Sequence, residues 1–270
     1  MKHIDTAKSI RESQSAFLKK LPGWVIRRIA NIIHEDEINH IINTYINTPG
    51  PDFSGKVLDH LRIRLEINGM ENLPDDGHCF FVANHPFGML DGLCITKLAL
   101  EKYGDCRVIG NDILVMIPQL KPFVAQVNVY GSSSRESVMY LNQVYASNLP
   151  ITNFPAGEVS RRYKKLIEDK EWQKSFITKS VSCKRDIVPI FFHGRNSRLF
   201  HGIYIVRKFF GLNLNIELAL LPRELFRKKN TTLKVTIGKP IPWTHFTPEM
   251  TAWQWAQKMK EHTYNLQFTK

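Results

Sequence analysis

The sequence predicts an α/β protein: a mixed sheet with helices on both faces, preceded by an amphipathic N-terminal helical segment. Three observations support this class. From residue 62 onward, short runs of β-branched and aromatic residues alternate with segments of helical periodicity. Proline and glycine follow two of those runs within five residues, as they do where strands end. The chain has 270 residues, of which 43% are hydrophobic, enough for a sizeable core.

We expect an N-terminal helical extension over residues 1–60 and one α/β domain over residues 61–270. In the extension, residues 16 to 46 are predicted to be helical, with Pro22 suited to a first helical position. An apolar stripe runs beside basic residues there: Trp24, Val25, Ile29, Ile32 and Ile33 lie beside Lys19, Lys20, Arg27 and Arg28. A helix at a membrane interface and an ordinary helix packed on the domain both fit this pattern.

Within the domain, the apolar runs predict eight strands. They are expected at residues 63–67, 80–83, 107–109, 123–129, 151–154, 187–192, 214–220 and 233–237. Helical segments lie between them, one after the capping-box spacing Ser133-Ser134-Arg135-Glu136. A closing helix is expected after Pro248. This order of elements is typical of a sheet covered by helices.

The segment 80–92, FFVANHPFGMLDG, ends a buried strand at a histidine. Because Pro86 and Gly88 prevent regular structure from continuing, His85 is expected at a strand end, where ligands of open α/β folds bind. Asp91 lies six positions later, within reach of a returning loop, and could fix the imidazole tautomer and raise its basicity. The pair predicts a catalytic acid/base dyad; a structural histidine and a helix-capping aspartate are the alternative.

The segment 151–162, ITNFPAGEVSRR, repeats the order of strand, Pro/Gly loop and polar residues, and ends in two cations. Gly157 would allow close approach of a backbone at this strand end. Arg161, together with Arg162, is predicted to hold a phosphate or carboxylate, and Arg195 is a second candidate. A solvated surface pair is the alternative for the two adjacent arginines. The two strand ends together predict one site.

The Asn-His…Asp block at 84–91, the Phe-Pro-x-Gly block at 154–157 and the Val-Pro-Ile block at 188–190 resemble the glycerolipid acyltransferase family, in its order. The segments 34–39, 194–198 and 219–225 resemble its bacterial branch that acylates lyso-ornithine and related amino-acid lipids. The likeness covers most of the chain. It implies His85 and Asp91 as catalytic residues. It implies as substrate-binding residues Asn84, Phe154, Pro155, Gly157, Ser160, Arg161, Arg195 and Asn196.

Two positions depart from the general family pattern. Five residues separate His85 from Asp91, where the family usually has four, and Ala156 stands where the family commonly has Glu. The longer spacing is usual in the amino-acid-lipid branch and therefore favours that branch. The role of the missing Glu is not transferred to the nearby Glu158.

The resemblance implies an O-acyltransferase that moves a fatty acyl group from a thioester of acyl carrier protein or coenzyme A to a hydroxyl of a lysolipid. His85 would be the general base. A lyso amino-acid lipid is the expected acceptor, and a 1-acylglycerol-3-phosphate acyltransferase is the alternative. The alternative of another class is a non-catalytic binder of anionic membranes or nucleic acid. No cofactor and no metal are expected, the thioester being a co-substrate.

The net charge of +12 implies an anionic partner, which charge alone does not identify. We expect membrane lipids and acyl carrier protein or acyl-CoA, and no nucleic acid, because aromatic RNA-binding patterns are missing. The four cysteines show no C-x-x-C spacing, which indicates a reducing compartment. No signal segment and no apolar stretch of about 20 residues is found. A cytoplasmic protein, peripheral on the inner face of the cell membrane, is therefore expected.

Overall fold

The computed structural model describes residues 2–13, 15–48, 50–110, 117–126, 135–211 and 215–268. The helices in these ranges are α1 Thr6–Glu12, α2 Ala16–Lys19, α3 Gly23–Ile32, α4 Glu35–Thr44, α5 Gly50–His60, α6 Met89–Tyr103, α7 Arg135–Ala146, α8 Ser175–Cys183, α9 Arg198–Phe209, α10 Leu221–Phe226 and α11 Ala252–Asn265. The strands are β1 Arg64–Asn68, β2 Cys79–Ala83, β3 Arg107–Gly110, β4 Val124–Gln126, β5 Ile151–Asn153, β6 Arg161–Tyr163, β7 Leu166–Glu168, β8 Asp186–Phe192 and β9 Thr232–Ile237.

Within the described ranges, seven strands form one sheet in the order β1-β9-β8-β2-β5-β3-β4. Neighbouring strands run parallel throughout, except that β8 and β9 pair antiparallel. The two remaining strands, β6 and β7, form a separate antiparallel hairpin. The predicted mixed α/β sheet is thus confirmed.

Both faces of this sheet are covered, as the side chains of the central strand β2 show. Phe81 and Ala83 point into a core that also contains residues of α5 and α6. Phe80 and Val82 point to the opposite face and pack with residues of α7, α8 and α11. Successive side chains of a strand alternate between faces, so a strand that is apolar at every position must be covered on both.

The topology places three strand ends at one edge. Strand β2 lies between β5 and β8 and runs parallel to both, so the carboxyl ends of all three meet at the same edge of the sheet. His85, Phe154 and His193 follow these three strands within two residues. In open α/β sheets this edge is where ligands bind, and the predicted meeting of the two sequence blocks follows from it.

The prediction of one helix from 16 to 46 is wrong in detail. The segment contains three helices, α2 to α4, because Pro22 caps α3 in an extended conformation and His34 adopts a left-handed φ of 57°. Pro22 therefore precedes the first helical position. Residues 35–37, Glu-Asp-Glu, start α4, where negative charge is stabilised by the helix dipole.

The extension and the domain share a core. Phe53, Leu58 and Leu61, from α5 and the residue after it, are buried with residues of α6. A boundary at residue 60 remains a prediction. Helix α3 contains no buried residue, and the Trp24 side chain is 74% exposed.

Two of the predicted strands, 214–220 and 123–129, differ from the structure or lie partly outside the described residues. Residues Ile216–Leu220 form a 3-10 helix leading into α10, although their apolar alternation resembles a strand; Leu214 lies outside the described residues. In the predicted strand 123–129, β4 covers Val124–Gln126 and residues 127–129 lie outside. Ser133 and Ser134, the predicted cap of α7, also lie outside. The β6–β7 hairpin was not predicted.

Candidate active site

His85 and Asp91 meet as predicted. The Nδ1 atom of His85 lies 3.1 Å from Oδ2 of Asp91. The His85 side chain keeps 17% of its surface exposed, whereas that of Asp91 is fully buried. No hydrogen bond to the other ring nitrogen, Nε2, is found within the described residues. Nδ1 and the carboxylate are in ion-pair contact rather than in a hydrogen bond of regular geometry. Nε2 is the nitrogen left for a substrate, as a general base requires.

The loop between the two residues fixes this geometry. Asp91 is the third residue of α6, and its Oδ2 also accepts hydrogen bonds from the backbone N–H groups of Phe87 at 2.8 Å and Gly88 at 3.0 Å. Gly88 has a φ of +81°, and a Cβ there would lie 3.0 Å from Leu221, so this position favours glycine. Burial raises the pKa of the Asp91 carboxyl, an effect opposed by His85 and by the two amides.

The second block supports one face of the imidazole ring. The ring of Phe154 stacks on that of His85, with centroids 4.0 Å apart and an interplanar angle of 26°. A turn follows in which the Gly157 N–H donates to the Phe154 carbonyl at 2.9 Å, across Pro155. Gly157 has a φ of +68° with open space around its Cβ position, so backbone conformation rather than close approach explains this glycine.

A second carboxylate, Asp169, holds the two blocks together. Its Oδ1 accepts hydrogen bonds from the His85 N–H at 3.2 Å and from the Ser160 hydroxyl at 2.6 Å. Its Oδ2 accepts one from the Trp172 indole at 2.9 Å. The Ser160 N–H donates in turn to the His85 carbonyl at 2.9 Å. Burial raises the pKa of Asp169, while the bonds from Ser160 and Trp172 oppose that shift. Sequence reasoning missed Asp169, which belongs to no recognised block.

Arg161 and Arg162 lie on opposite sides of β6. The Arg161 guanidinium is buried, with Nε 3.2 Å from Oε1 of Glu217 and Nη1 donating to the Val159 carbonyl at 2.6 Å. Arg162 is exposed, and its Nε donates to the Lys164 carbonyl at 3.4 Å. Arg161 was predicted to lie in a loop and to hold a phosphate or carboxylate of the acceptor. Instead, Arg161 is the first residue of β6, and its side chain points inward.

Asn84 and Asn196 are both buried, with different surroundings. The Asn84 amide bridges β2 and β8 by donating to the Phe192 carbonyl at 3.0 Å and accepting from the Phe192 N–H at 2.7 Å. Neither polar atom of the Asn196 side chain has a hydrogen-bond partner within the described residues. A buried amide without partners is costly, so Asn196 has capacity to bind a further group.

A cation that the sequence did not single out lies beside Arg195. The ammonium of Lys228 sits 4.4 Å from the centroid of the Phe87 ring and donates to the Arg195 carbonyl at 3.4 Å. Arg195 itself is exposed. Burial lowers the pKa of Lys228, and the carboxylates of Glu224 and Asp91 oppose that shift. Positive charge is therefore concentrated next to the loop that carries His85.

Two segments quoted for the amino-acid-lipid branch contact each other. The buried carboxylate of Glu224, in α10, accepts hydrogen bonds from the N–H and the hydroxyl of Ser197, both at 2.7 Å. Arg223 adds a third bond at 2.9 Å. Since α10 also packs on Gly88 through Leu221, these segments brace the loop after β8 against the His85 loop.

A cleft of about 320 Å³ opens at the same edge of the sheet, and His85 itself is not among the residues that line it. It is lined by both neighbours of His85 in the chain, by Ser160, by β7, by the end of β8 and by the C-terminal segment. The lining residues are Asn84, Pro86, Ser160, Leu166, Ile167, Glu168, Phe191, His193, Gly194, Tyr264 and Gln267. The cleft is large enough for a lipid head group and the adjoining atoms of a chain.

Two features are absent from the described residues. No described helix is both long enough and apolar enough to cross a bilayer. In the same ranges, no three His, Cys, Asp or Glu side chains are grouped so that they could hold a metal ion.

An α/β sheet whose carboxyl edge carries both a histidine–carboxylate pair and a cleft has the features of an enzyme active site. Comparison with known proteins identifies the family. Residues 8–269 match the family model described as Acyltransferase, and the chain belongs to this acyltransferase family. The family resemblance of the sequence blocks is thereby confirmed.

Similar proteins include two bacterial relatives that align over nearly their whole length. The lyso-glycine lipid O-acyltransferase of Phocaeicola vulgatus is 38% identical over 97% of this chain and 95% of its own. The protein of the same name from Bacteroides thetaiotaomicron is 36% identical over 97% of each chain. Among solved structures, the 1-acyl-sn-glycerophosphate acyltransferase PlsC from Thermotoga maritima matches with a TM-score of 0.46 and 14% identity, over 90% of this chain and 92% of that one.

Proposed function

We propose that this protein transfers a fatty acyl group from an acyl thioester to a hydroxyl of a lyso-glycine lipid, with His85 as the general base. The observation that carries the proposal is the placement of the His85 ring. One nitrogen lies 3.1 Å from a buried carboxylate, and both chain neighbours of His85 line a cleft at this edge of the sheet. Membership of the acyltransferase family supports the reaction class, and the names of the two relatives support the acceptor.

The chemistry follows from the two ring nitrogens. An alkanol is too weak an acid to ionise at neutral pH, so His85 Nε2 takes its proton as the oxygen attacks the thioester carbon. The C–O ester bond forms, the C–S bond breaks, and the imidazolium returns the proton to the departing thiolate. Asp91 stabilises the imidazolium through Nδ1. No covalent acyl-enzyme is required, and the donor is an acyl thioester of acyl carrier protein or of coenzyme A.

The acceptor head group needs a cationic partner, because glycine attached through its amine presents a carboxylate. We assign this role to Arg195, exposed next to the cleft residue Gly194, with Lys228 beside it. The unpartnered amide of Asn196 could add a hydrogen bond. In this assignment Arg161 acts indirectly, by fixing the β6–β7 hairpin that lines the cleft.

The other predicted residues would position the base. Phe154 holds the imidazole plane, and Pro155 and Gly157 form the turn that follows it. Asn84 ties the strand end to β8, and Ser160 ties the two loops through Asp169. We propose that the protein works from the cytoplasmic face of the membrane, where thioester donors and lipid acceptors meet.

Acceptor and donor are tested together with purified protein. Acylation of lyso-glycine lipid and of lysophosphatidic acid is compared, each with acyl-acyl carrier protein and with acyl-CoA as donor, and the ester product is measured by mass spectrometry. We expect the lyso-glycine lipid to be preferred. Arg195→Gln should raise the acceptor KM at least about tenfold with little change in kcat. Arg162→Gln, an exposed arginine paired only with a backbone carbonyl within the described residues, is the matched control.

Turnover of lysophosphatidic acid alone would show that this lipid, and not the lyso-glycine lipid, is the acceptor. Absence of turnover with every combination of acceptor and donor would refute the proposed function.

A further inference from the structure

Helix α9 is apolar on two opposite faces, but only one of them is covered. The inner face buries Phe200 and Tyr204. The outer face, defined as Leu199, Ile205, Val206, Phe209 and the following Phe210, is exposed. The two phenylalanines at its end are 82% and 67% exposed. A surface helix of a soluble domain normally carries polar residues on the side that faces water, so this face is suited to a non-aqueous environment.

The helix is held in this orientation by a buried charge network. Glu217, fully buried, lies 2.9 Å from Nε of Arg207 in α9 and 3.2 Å from Nε of Arg161 in β6. The Arg161 guanidinium also lies 4.9 Å from the centroid of Phe200. Breaking such a buried ion network costs several kcal/mol. The helix therefore does not rotate to bury its outer face, which stays directed outward.

Basic residues accompany the outer face. Arg198 and Lys208 on α9 are exposed, and α9 contains no acidic residue. Lys164 and Lys165 are exposed in the β6–β7 turn, directly before Leu166, which is 66% exposed. Apolar side chains bordered by cations match the surface of an anionic bilayer, whose phosphates attract the cations while the acyl region accepts the apolar groups.

The outer face lies close to the cleft. Gly194, which lines the cleft, is separated from the first residue of α9 by only three residues. The hairpin that supplies Leu166 to the cleft packs on α9 through Tyr163 and Tyr204, whose ring centroids are 6.1 Å apart. A bilayer that contacts the outer face would therefore lie next to the site at which a membrane lipid must enter.

We propose that the outer face of α9 docks on an anionic membrane, with Phe209 and Phe210 inserted among the lipid chains and Arg198 and Lys208 on the head groups. This inference rests on the proposed function, because a lysolipid acceptor resides in the membrane. It assigns the membrane contact to α9 rather than to the N-terminal helix α3.

The test compares binding to vesicles of phosphatidylethanolamine with phosphatidylglycerol, and to vesicles of phosphatidylcholine alone, by flotation. Phe209→Ser/Phe210→Ser should weaken binding to the anionic vesicles at least about tenfold. The matched control, Val138→Ser/Met139→Ser, removes exposed apolar side chains from α7 and should bind like the wild type. Binding should fall with added salt because the cationic part is screened.

Activity separates this inference from the proposed function. The Phe209/Phe210 variant should acylate a short-chain, water-soluble acceptor at the wild-type rate, while losing activity on lysolipid embedded in vesicles. If the wild type acylated no acceptor, the proposed function would be refuted. The flotation experiment would still test the docking surface, because it measures vesicle binding without acyl transfer. Wild-type vesicle binding by the variant would overturn the inference, as would loss of binding in Trp24→Ser alone. A shift from dimer to monomer in light scattering, with vesicle binding unchanged, would assign the face to a second copy of the chain instead.

Discussion

Replacing Asp91 by Asn removes one negative charge from the site and changes little else. The Asn oxygen occupies the position of Oδ2 and still accepts the hydrogen bonds from the N–H groups of Phe87 and Gly88. The side chain is fully buried, and the two residues have nearly the same volume. The loop that carries His85 should therefore keep its conformation.

The effect on the reaction follows from the distance between the charges. In the transition state His85 becomes an imidazolium, with Nδ1 3.1 Å from Oδ2 of Asp91. At an effective dielectric constant of about 20, opposite unit charges at that distance attract by about 5 kcal/mol. Loss of this attraction should lower kcat by roughly 10³- to 10⁴-fold, since each 1.36 kcal/mol is about tenfold in rate.

The assay is steady-state acyl transfer at saturating acceptor, with Tm measured on the same protein. Asp186→Asn is the control, because Asp186 accepts a hydrogen bond from the Trp243 N–H at the opposite edge of the sheet, and it should retain full kcat. If Asp91→Asn kept more than about a tenth of the wild-type kcat, the carboxylate would not be the stabiliser of an imidazolium. A loss of activity that merely followed a fall in Tm would show that Asp91 acts on stability and not on the imidazolium.

Three further predictions concern stability, measured as the free energy of unfolding in urea. Asp169→Ala leaves three donors, two of them in buried hydrogen bonds, without this acceptor and should cost about 3 to 5 kcal/mol. A loss below about 1 kcal/mol would mean that the network contributes little to stability. Glu217→Ala removes the carboxylate that pairs with the buried guanidinium groups of Arg161 and Arg207 and should cost about 3 to 5 kcal/mol. Glu66→Ala, which removes the exposed pair with Lys234, should be nearly neutral. Burial lowers the pKa of His201 from 6.5 to about 4, so between these values the unfolded chain binds a proton that the folded chain does not. The free energy of unfolding should therefore fall by about 3 kcal/mol as the pH decreases from 6.5 to about 4. His201→Phe should remove that decline, and an unchanged pH profile in this variant would contradict the prediction.

The part of the site that the sequence predicted is the part set by local structure. His85 and Asp91 are six residues apart, and a strand, a proline and a glycine leave the connecting loop few conformations. Phe154 follows the neighbouring parallel strand, so its place at the same edge follows from the topology of the sheet. The His85–Asp91 pair and the place of Phe154 could both be predicted from the positions of strand ends and turn residues alone.

The parts that were missed depend on long-range contacts. Asp169 is 84 residues from His85 and reaches it because the β6–β7 hairpin folds back over the cleft. The inward direction of Arg161 depends on a short strand that has no clear sequence pattern and on Glu217, 56 residues away. The apolar alternation around Glu217 predicted a strand, because nothing local indicates that the carboxylate is buried between two arginines.

We propose that the His85 imidazole removes the proton of the acceptor hydroxyl. The direct measurement is the rate of ester formation by purified wild type and His85→Ala, with lyso-glycine lipid and an acyl thioester, followed by mass spectrometry and accompanied by circular dichroism. We predict product from the wild type and none above background from a folded His85→Ala protein. Ester formation by that variant at the wild-type rate would contradict the mechanism.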